Sequence, residues 1–228
     1  MDIVLIAGLW LDGNAWDPVA RELDALGHRP LPVTLPGQGD GSPSATLEEQ
    51  VAAVNRAVEA ADEPVLVVGH SAACSLAWAA TDAHPDKVAA TVMIGGFPAA
   101  DGQTYADFFE PVDGVVPFPG WEPFAGPDSA DLDQATRDLI AAGAHPVPEP
   151  VTRGIMRLRE ERRYQVPVVL VCPEYSADEA RAWLAAGQMP ELSRVERIEY
   201  VDLDSGHWPM FTRPQHLAAV LTDVAARY

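Results

Sequence analysis

The sequence predicts an α/β protein: a doubly wound, mostly parallel six-stranded sheet with an α-helical insertion. Three observations carry this reading. Short, uniformly apolar runs recur along the 228 residues between helical patterns, as expected of parallel strands covered on both faces. One run, Val65–Val68, passes through Gly69-His70-Ser71 straight into an apolar helical pattern. Between Phe97 and Gln165 the alternation stops, then resumes.

Each element follows in order. Ile3–Ala7 reads as the first strand, ending in the loop Gly8-Leu9-Trp10-Leu11-Asp12-Gly13. Trp16–Leu26 reads as a helix, with Pro18 in its first turn and Gly27 beyond its end. Pro30–Leu35 is the second strand, its prolines suiting a sheet margin. Residues 36–43 form a glycine-rich loop, which is no phosphate cradle because no Gly-Lys-Ser/Thr follows. Thr46 is placed to cap a helix reaching Ala61, with Glu48 and Glu49 in its first turn. Val65–Val68 is the third strand, Ala72–Ala83 the helix after it, and Ala89–Ile94 the fourth strand. From Phe97 to about Gly126 the chain is dense in proline, glycine and aromatic residues. Helical patterns follow over Leu132–Ala142 and Glu149–Arg163, and no strand is expected before Gln165. Val166–Cys172, a helix over Asp178–Ala186, the strand Val195–Leu203 and a closing helix Pro214–Tyr228 complete the alternation. The expected organisation is a core of residues 1–97 and 165–228 with a cap at 98–164.

Composition narrows the function classes. Fifteen basic against 34 acidic residues give a net charge of −19, which disfavours nucleic acid and anionic membrane surfaces as partners. The segment Met1-Asp2-Ile3-Val4 enters a strand without a basic leader, and no apolar run is long enough to span a bilayer. Cys74 and Cys172 lie in apolar segments without metal-ligand spacing, which suits free thiols in a reducing compartment. The expectation is a cytoplasmic protein with no metal or other cofactor. Oligomeric state is not legible.

A strand that bends into a helix at a single serine is the context of a nucleophile elbow. Gly69 leaves room for the tight turn, and the helix start offers backbone N–H groups without intrahelical partners. A serine there also suits a plain helix N-cap. Right-handed crossovers bring all strand C-terminal ends to one rim. Leu9-Trp10, Ser71-Ala72, the segment Glu174 to Asp178, and Asp204-Ser205-Gly206-His207-Trp208-Pro209 then meet there, in the chain order serine, acid, histidine.

With these motifs the chain resembles the α/β-hydrolase superfamily over essentially its whole length. The resemblance rests on Ile6–Trp10, on Leu35-Pro36-Gly37-Gln38-Gly39-Asp40, on Gly69-His70-Ser71-Ala72-Ala73, and on Ser205-Gly206-His207-Trp208-Pro209. It implies the α/β-hydrolase fold with a cap after the fourth strand, Ser71 as nucleophile, His207 as base, and the N–H groups of Leu9 and Ala72 as oxyanion donors. The acid departs from the family pattern: Ser176 stands where an aspartate is usual. Glu174, two residues earlier, is the leading candidate, while Asp178, Asp101 and the absence of any acid remain open.

The aromatic insertion suits ordinary packing over the sheet, or a roof on the site. As a roof it places Trp10, His70, Phe97, Phe108, Phe118, Trp121 and Trp208 around an apolar pocket, in which His70 is a packed neighbour and not a base. The expected activity is hydrolysis of a small, largely apolar carboxylic ester, lactone or thioester through an acyl-serine. Related uses of the fold are carbon–carbon hydrolysis, hydroxynitrile cleavage and cofactor-free peracid formation. A non-catalytic small-molecule binder is the rival from another class.

Overall fold

The computed structural model describes residues 1–61 and 64–228. The strands are β1 (Asp2–Ile6), β2 (Arg29–Val33), β3 (Val65–His70), β4 (Val88–Ile94), β5 (Val115–Val116), β6 (Val147–Pro148), β7 (Val168–Cys172) and β8 (Ile198–Asp202). The helices are α1 (Asp17–Ala25), α2 (Leu47–Glu59), α3 (Cys74–Ala83), α4 (Gln134–Gly143), α5 (Glu149–Thr152), α6 (Ala177–Ala185), α7 (Pro209–Thr212) and α8 (Pro214–Ala225). Six strands form one sheet in the order β2-β1-β3-β4-β7-β8, with every pairing parallel.

The uniform apolar runs are explained by burial on both faces. Val4, Ile6, Val65 and Val67 pack on one side with Val54 and Val58 of α2 and Leu76 and Trp78 of α3. Ile3, Leu5, Leu66 and Val68 pack on the other with Val19 and Leu23 of α1 and Leu217 and Leu221 of α8. Local signals set the helix starts. Thr46 and Glu49 form a reciprocal capping box on α2, and Ser176 and Glu179 form another on α6.

The chain leaves β1 for β2 at one edge and returns to β3 on the opposite side of β1. Strand order therefore reverses between β1 and β3. The C-terminal ends of these two strands diverge into a crevice, the place where open α/β sheets hold ligands.

Two expectations for the insertion are corrected. Glu149–Arg163 is not one helix: α5 ends at Thr152. Gly154 then presses on α2 so closely that a Cβ there would sit 2.4 Å from Leu47 Cβ. Beyond it the backbone amides find acceptors in distant parts of the chain instead of four residues back. Met156 N–H donates to Gln103 O, Leu158 N–H to Asp101, and the Arg159 and Glu160 amides to Asp82. Tertiary acceptors outbid the helical pattern. The region also contains a strand pair, β5 with β6, antiparallel. It is held to the core by Trp10, whose indole N–H donates to Val116 O at 3.1 Å.

Beneath the insertion Arg163 is 3% exposed. It pairs with Asp82 and Glu191, each at 3.1 Å, and bonds to Tyr164 Oη. Glu191 also accepts from Trp78 Nε1 at 3.0 Å. One guanidinium thus joins the insertion's last turn, α3 and the segment after α6.

Candidate active site

Ser71 follows β3 directly and has φ = 56°, the left-handed region that non-glycine residues seldom occupy. Two contacts explain why the bend can form. A Cβ on Gly69 would lie 2.5 Å from Ala73 O, and one on Gly96 would lie 2.6 Å from Ser71 O. Only hydrogen at both positions lets β3, the elbow and the end of β4 close on one another. Ser71 begins the first turn of the following 3₁₀ segment, whose N-cap is His70, and its hydroxyl makes no hydrogen bond among the described residues. The bend therefore presents the hydroxyl instead of spending it on the helix.

Two residues that share a cavity wall with Ser71 carry backbone N–H groups to spare. Ala72 N–H lies in the first turn, where no intrahelical partner exists. Leu9 N–H, in the loop after β1, has no hydrogen-bond partner among the described residues. That loop is tied by three hydrogen bonds from two residues. Gln38, fully buried, donates to Gly8 O at 2.9 Å and Leu11 O at 2.8 Å. His145 N–H donates to Trp10 O at 2.9 Å. Trp10 itself has φ = 67°.

His207 sits in the loop between β8 and α7. Its Nδ1 is 2.7 Å from Glu174 Oε1, and its backbone N–H donates to Asp128 O at 2.7 Å. Glu174 leaves the end of β7, and each side chain of the pair is 14% exposed. The contact requires the Nδ1–H tautomer, which leaves Nε2 as the acceptor. The other two carboxylates lie elsewhere. Asp178 is 93% exposed and paired with Arg181, while Asp101 accepts from Leu158 N–H. Ser176 caps α6.

His70 is fully buried beside this pair, and its ring centroid is 4.9 Å from that of His207. Burial, reinforced by the His207 charge, pushes its imidazole down to about 3. His70 is therefore neutral, and its Nε2–H donates to His207 O at 2.8 Å.

The site opens on two chambers that share Ser71, Phe108 and Glu174. The first, about 220 Å³, is lined by Leu9, Trp10, His70, Phe109, Phe124, Asp128, His207 and Trp208. The second, about 540 Å³, runs past Ala72, Gly95 and Gly96 to Phe97, Gln103, Tyr105, Tyr175 and Trp183. The fold thus brings together Ser71, His207, Glu174, Leu9 and Ala72, and places Trp10, His70, Phe97, Phe108 and Trp208 on cavity walls.

Phe118 and Trp121 do not line either chamber. Phe118 packs behind Trp10 at a centroid distance of 5.5 Å, and Trp121 behind Trp208 at 5.3 Å; both buttress the wall. Phe109, Phe124, Tyr175 and Trp183 were not anticipated as lining. The first two belong to the same aromatic stretch and Tyr175 adjoins Glu174, so proximity in sequence was the available signal for these three; Trp183 reaches the wall from α6. Asp128 carries no pattern that marks it.

A serine on a strained strand–helix elbow, at the reversal point of a parallel sheet and beside a carboxylate-held histidine, is the arrangement of one family. Its model, the alpha/beta hydrolase family, matches residues 3–220. The chain belongs to this family. Among alpha/beta hydrolases it is 25% identical to methylesterase 7 of Arabidopsis thaliana, over 99% of this chain and 96% of the relative. It is 24% identical to a pyrethroid hydrolase of Sphingobium wenxiniae, over 98% and 87%. A methylesterase structure from Arabidopsis superposes with a TM-score of 0.80 at 17% identity, covering 100% of both chains.

Proposed function

We propose that this alpha/beta hydrolase is a serine esterase that cleaves a small, largely apolar carboxylic ester through an acyl-serine intermediate. One observation carries the reading: the strained elbow presents Ser71 to the same chamber as His207, whose Nδ1 is held by Glu174 at 2.7 Å. Relatives named as a methylesterase and a pyrethroid hydrolase support ester chemistry.

The proposed steps assign each of these groups a role. Serine is a weak nucleophile until a base removes its proton. Nε2 of His207 takes that proton as Ser71 Oγ bonds to the ester carbon, and the Leu9 and Ala72 N–H groups hold the oxyanion. Each such donor is worth about 3 kcal/mol of barrier. His207 then returns the proton to the departing alkoxide, the carbon–oxygen bond breaks, and the alcohol leaves. Water, deprotonated by the same imidazole, releases the acid. Glu174 keeps the ring in the required tautomer and stabilises the imidazolium. The leaving oxygen must lie near His207, so the 220 Å³ chamber takes the alcohol part and the 540 Å³ chamber the acyl part.

The binder reading drew its support from Ser176 in the aspartate position. Glu174 against His207 removes that support. An uncharged fluorophosphonate probe tests the proposal. Labelling of Ser71, lost in Ser71→Ala and strongly slowed in His207→Ala, is expected, together with turnover of p-nitrophenyl butyrate. Folded protein that neither labels nor turns over the ester would refute it.

A further inference from the structure

The alcohol chamber has an unusual lining for a purely apolar site. Its aromatic walls are Trp10, Phe108, Phe109, Phe124 and Trp208. Phe124 and Trp208 meet edge to face at 5.2 Å, and Trp10 meets Phe109 at 5.3 Å and Phe124 at 6.0 Å in the same manner. Two carboxylates join this wall: Glu174, held by His207, and the half-buried Asp128. No lysine or arginine lines the chamber, and among the described residues no cationic side chain forms an ion pair with Asp128. Its backbone carbonyl is engaged by His207 N–H, which anchors the residue at the chamber wall.

Aromatic faces carry negative potential and attract cations, and several rings around one small space select quaternary ammonium groups. A partly desolvated, unpaired carboxylate adds a charge that a bound cation offsets. We infer that the 220 Å³ chamber binds a cationic alcohol part, so that the preferred substrates are esters of a quaternary or protonated amino alcohol. This rests on the esterase reading above and replaces the apolar alcohol half of its substrate with a cationic one, the acyl half remaining apolar.

Three further observations agree. The chamber volume equals that of roughly seven waters, which admits a trimethylammonium-ethyl group. Burial holds the Asp128 carboxyl above its ordinary value, with the His207 charge opposing and the Glu174 charge adding to the shift; a cation in the chamber relieves this. The net charge of −19 draws cationic substrates toward the protein and slows anionic ones.

The test compares butyrylcholine with its carbon isostere 3,3-dimethylbutyl butyrate, which has the same shape and no charge. The wild type should show a kcat/KM ratio of about tenfold or more in favour of the choline ester, carried in KM. Asp128→Asn should cut that ratio by about tenfold, and high salt should reduce it. Equal use of both esters, or a ratio unmoved by Asp128→Asn, overturns the inference while leaving the esterase standing. Choline binding, followed by tryptophan fluorescence, decides independently of turnover. Binding weakened about tenfold in Asp128→Asn supports the cation site, and no saturable binding of choline overturns it. Failure of the esterase reading itself would show as unlabelled Ser71 with the uncharged fluorophosphonate.

Discussion

Glu174 Oε1 lies 2.7 Å from Nδ1 of His207, although 33 positions separate the two residues in the chain. This contact selects one carboxylate out of the three that the sequence offered. Removing the orienting acid of such a triad costs up to about 10⁴-fold in rate. Glu174→Ala should therefore lower kcat on p-nitrophenyl butyrate by about that order. Asp178→Ala, on an exposed side chain paired only with Arg181, should leave it within about twofold. Similar losses in both variants would show that Glu174 does not orient the ring.

Ser71 holds φ = 56°, a conformation that costs a non-glycine residue about 1 kcal/mol or more. Alanine inherits that strain and glycine does not. Ser71→Gly should thus be more stable than Ser71→Ala by about 1 kcal/mol in urea unfolding. Neither variant should label with fluorophosphonate. Equal stability of the pair would mean that the elbow is unstrained.

The neutral, buried His70 makes stability depend on pH. Above its ordinary value of 6.5 the imidazole is neutral in both folded and unfolded chains. As pH falls below 6.5 the unfolded chain binds a proton at this position, while the folded chain resists until about 3. The unfolded state then holds more protons, so stability falls with falling pH, by up to about 1.4 kcal/mol per pH unit. His28, whose imidazole burial also pushes down, contributes in the same window. Urea unfolding between about pH 6.5 and 5 should show the slope, and His70→Gln should reduce it by close to one proton. An unchanged slope in that variant would contradict the buried neutral ring.

Arg163 is the buried cation that two carboxylates share. Truncating it strands Asp82 and Glu191 as uncompensated charges, which typically costs about 3–5 kcal/mol. Arg163→Ala should lower stability by that amount. Arg162→Ala, which removes an exposed pairing with Asp86 and Glu160, should cost less than about 1 kcal/mol. Chemical denaturation of the two variants side by side checks this.

The sequence by itself determined the parallel sheet, the elbow at Ser71 and the position of His207, because each is encoded over a few neighbouring residues. Runs such as Val65–Val68 must be buried on both faces, and Gly69 must precede a bend whose next turn ends against it. The capping residues Thr46 and Ser176 likewise act over three positions. What needed the tertiary structure was every choice among equally suitable partners far apart in the chain. Glu174, Asp178 and Asp101 are chemically alike, and only the approach of β7 to the loop after β8 brings one of them to the imidazole. The helical pattern at Glu149–Arg163 is broken because Asp82, Asp101 and Gln103 offer its amides other acceptors. Phe118 and Trp121 are as aromatic as Phe109 and Phe124, yet they fill the layer behind the wall. Short-range geometry is written in local spacing, whereas which groups meet across the rim follows from how the whole chain packs.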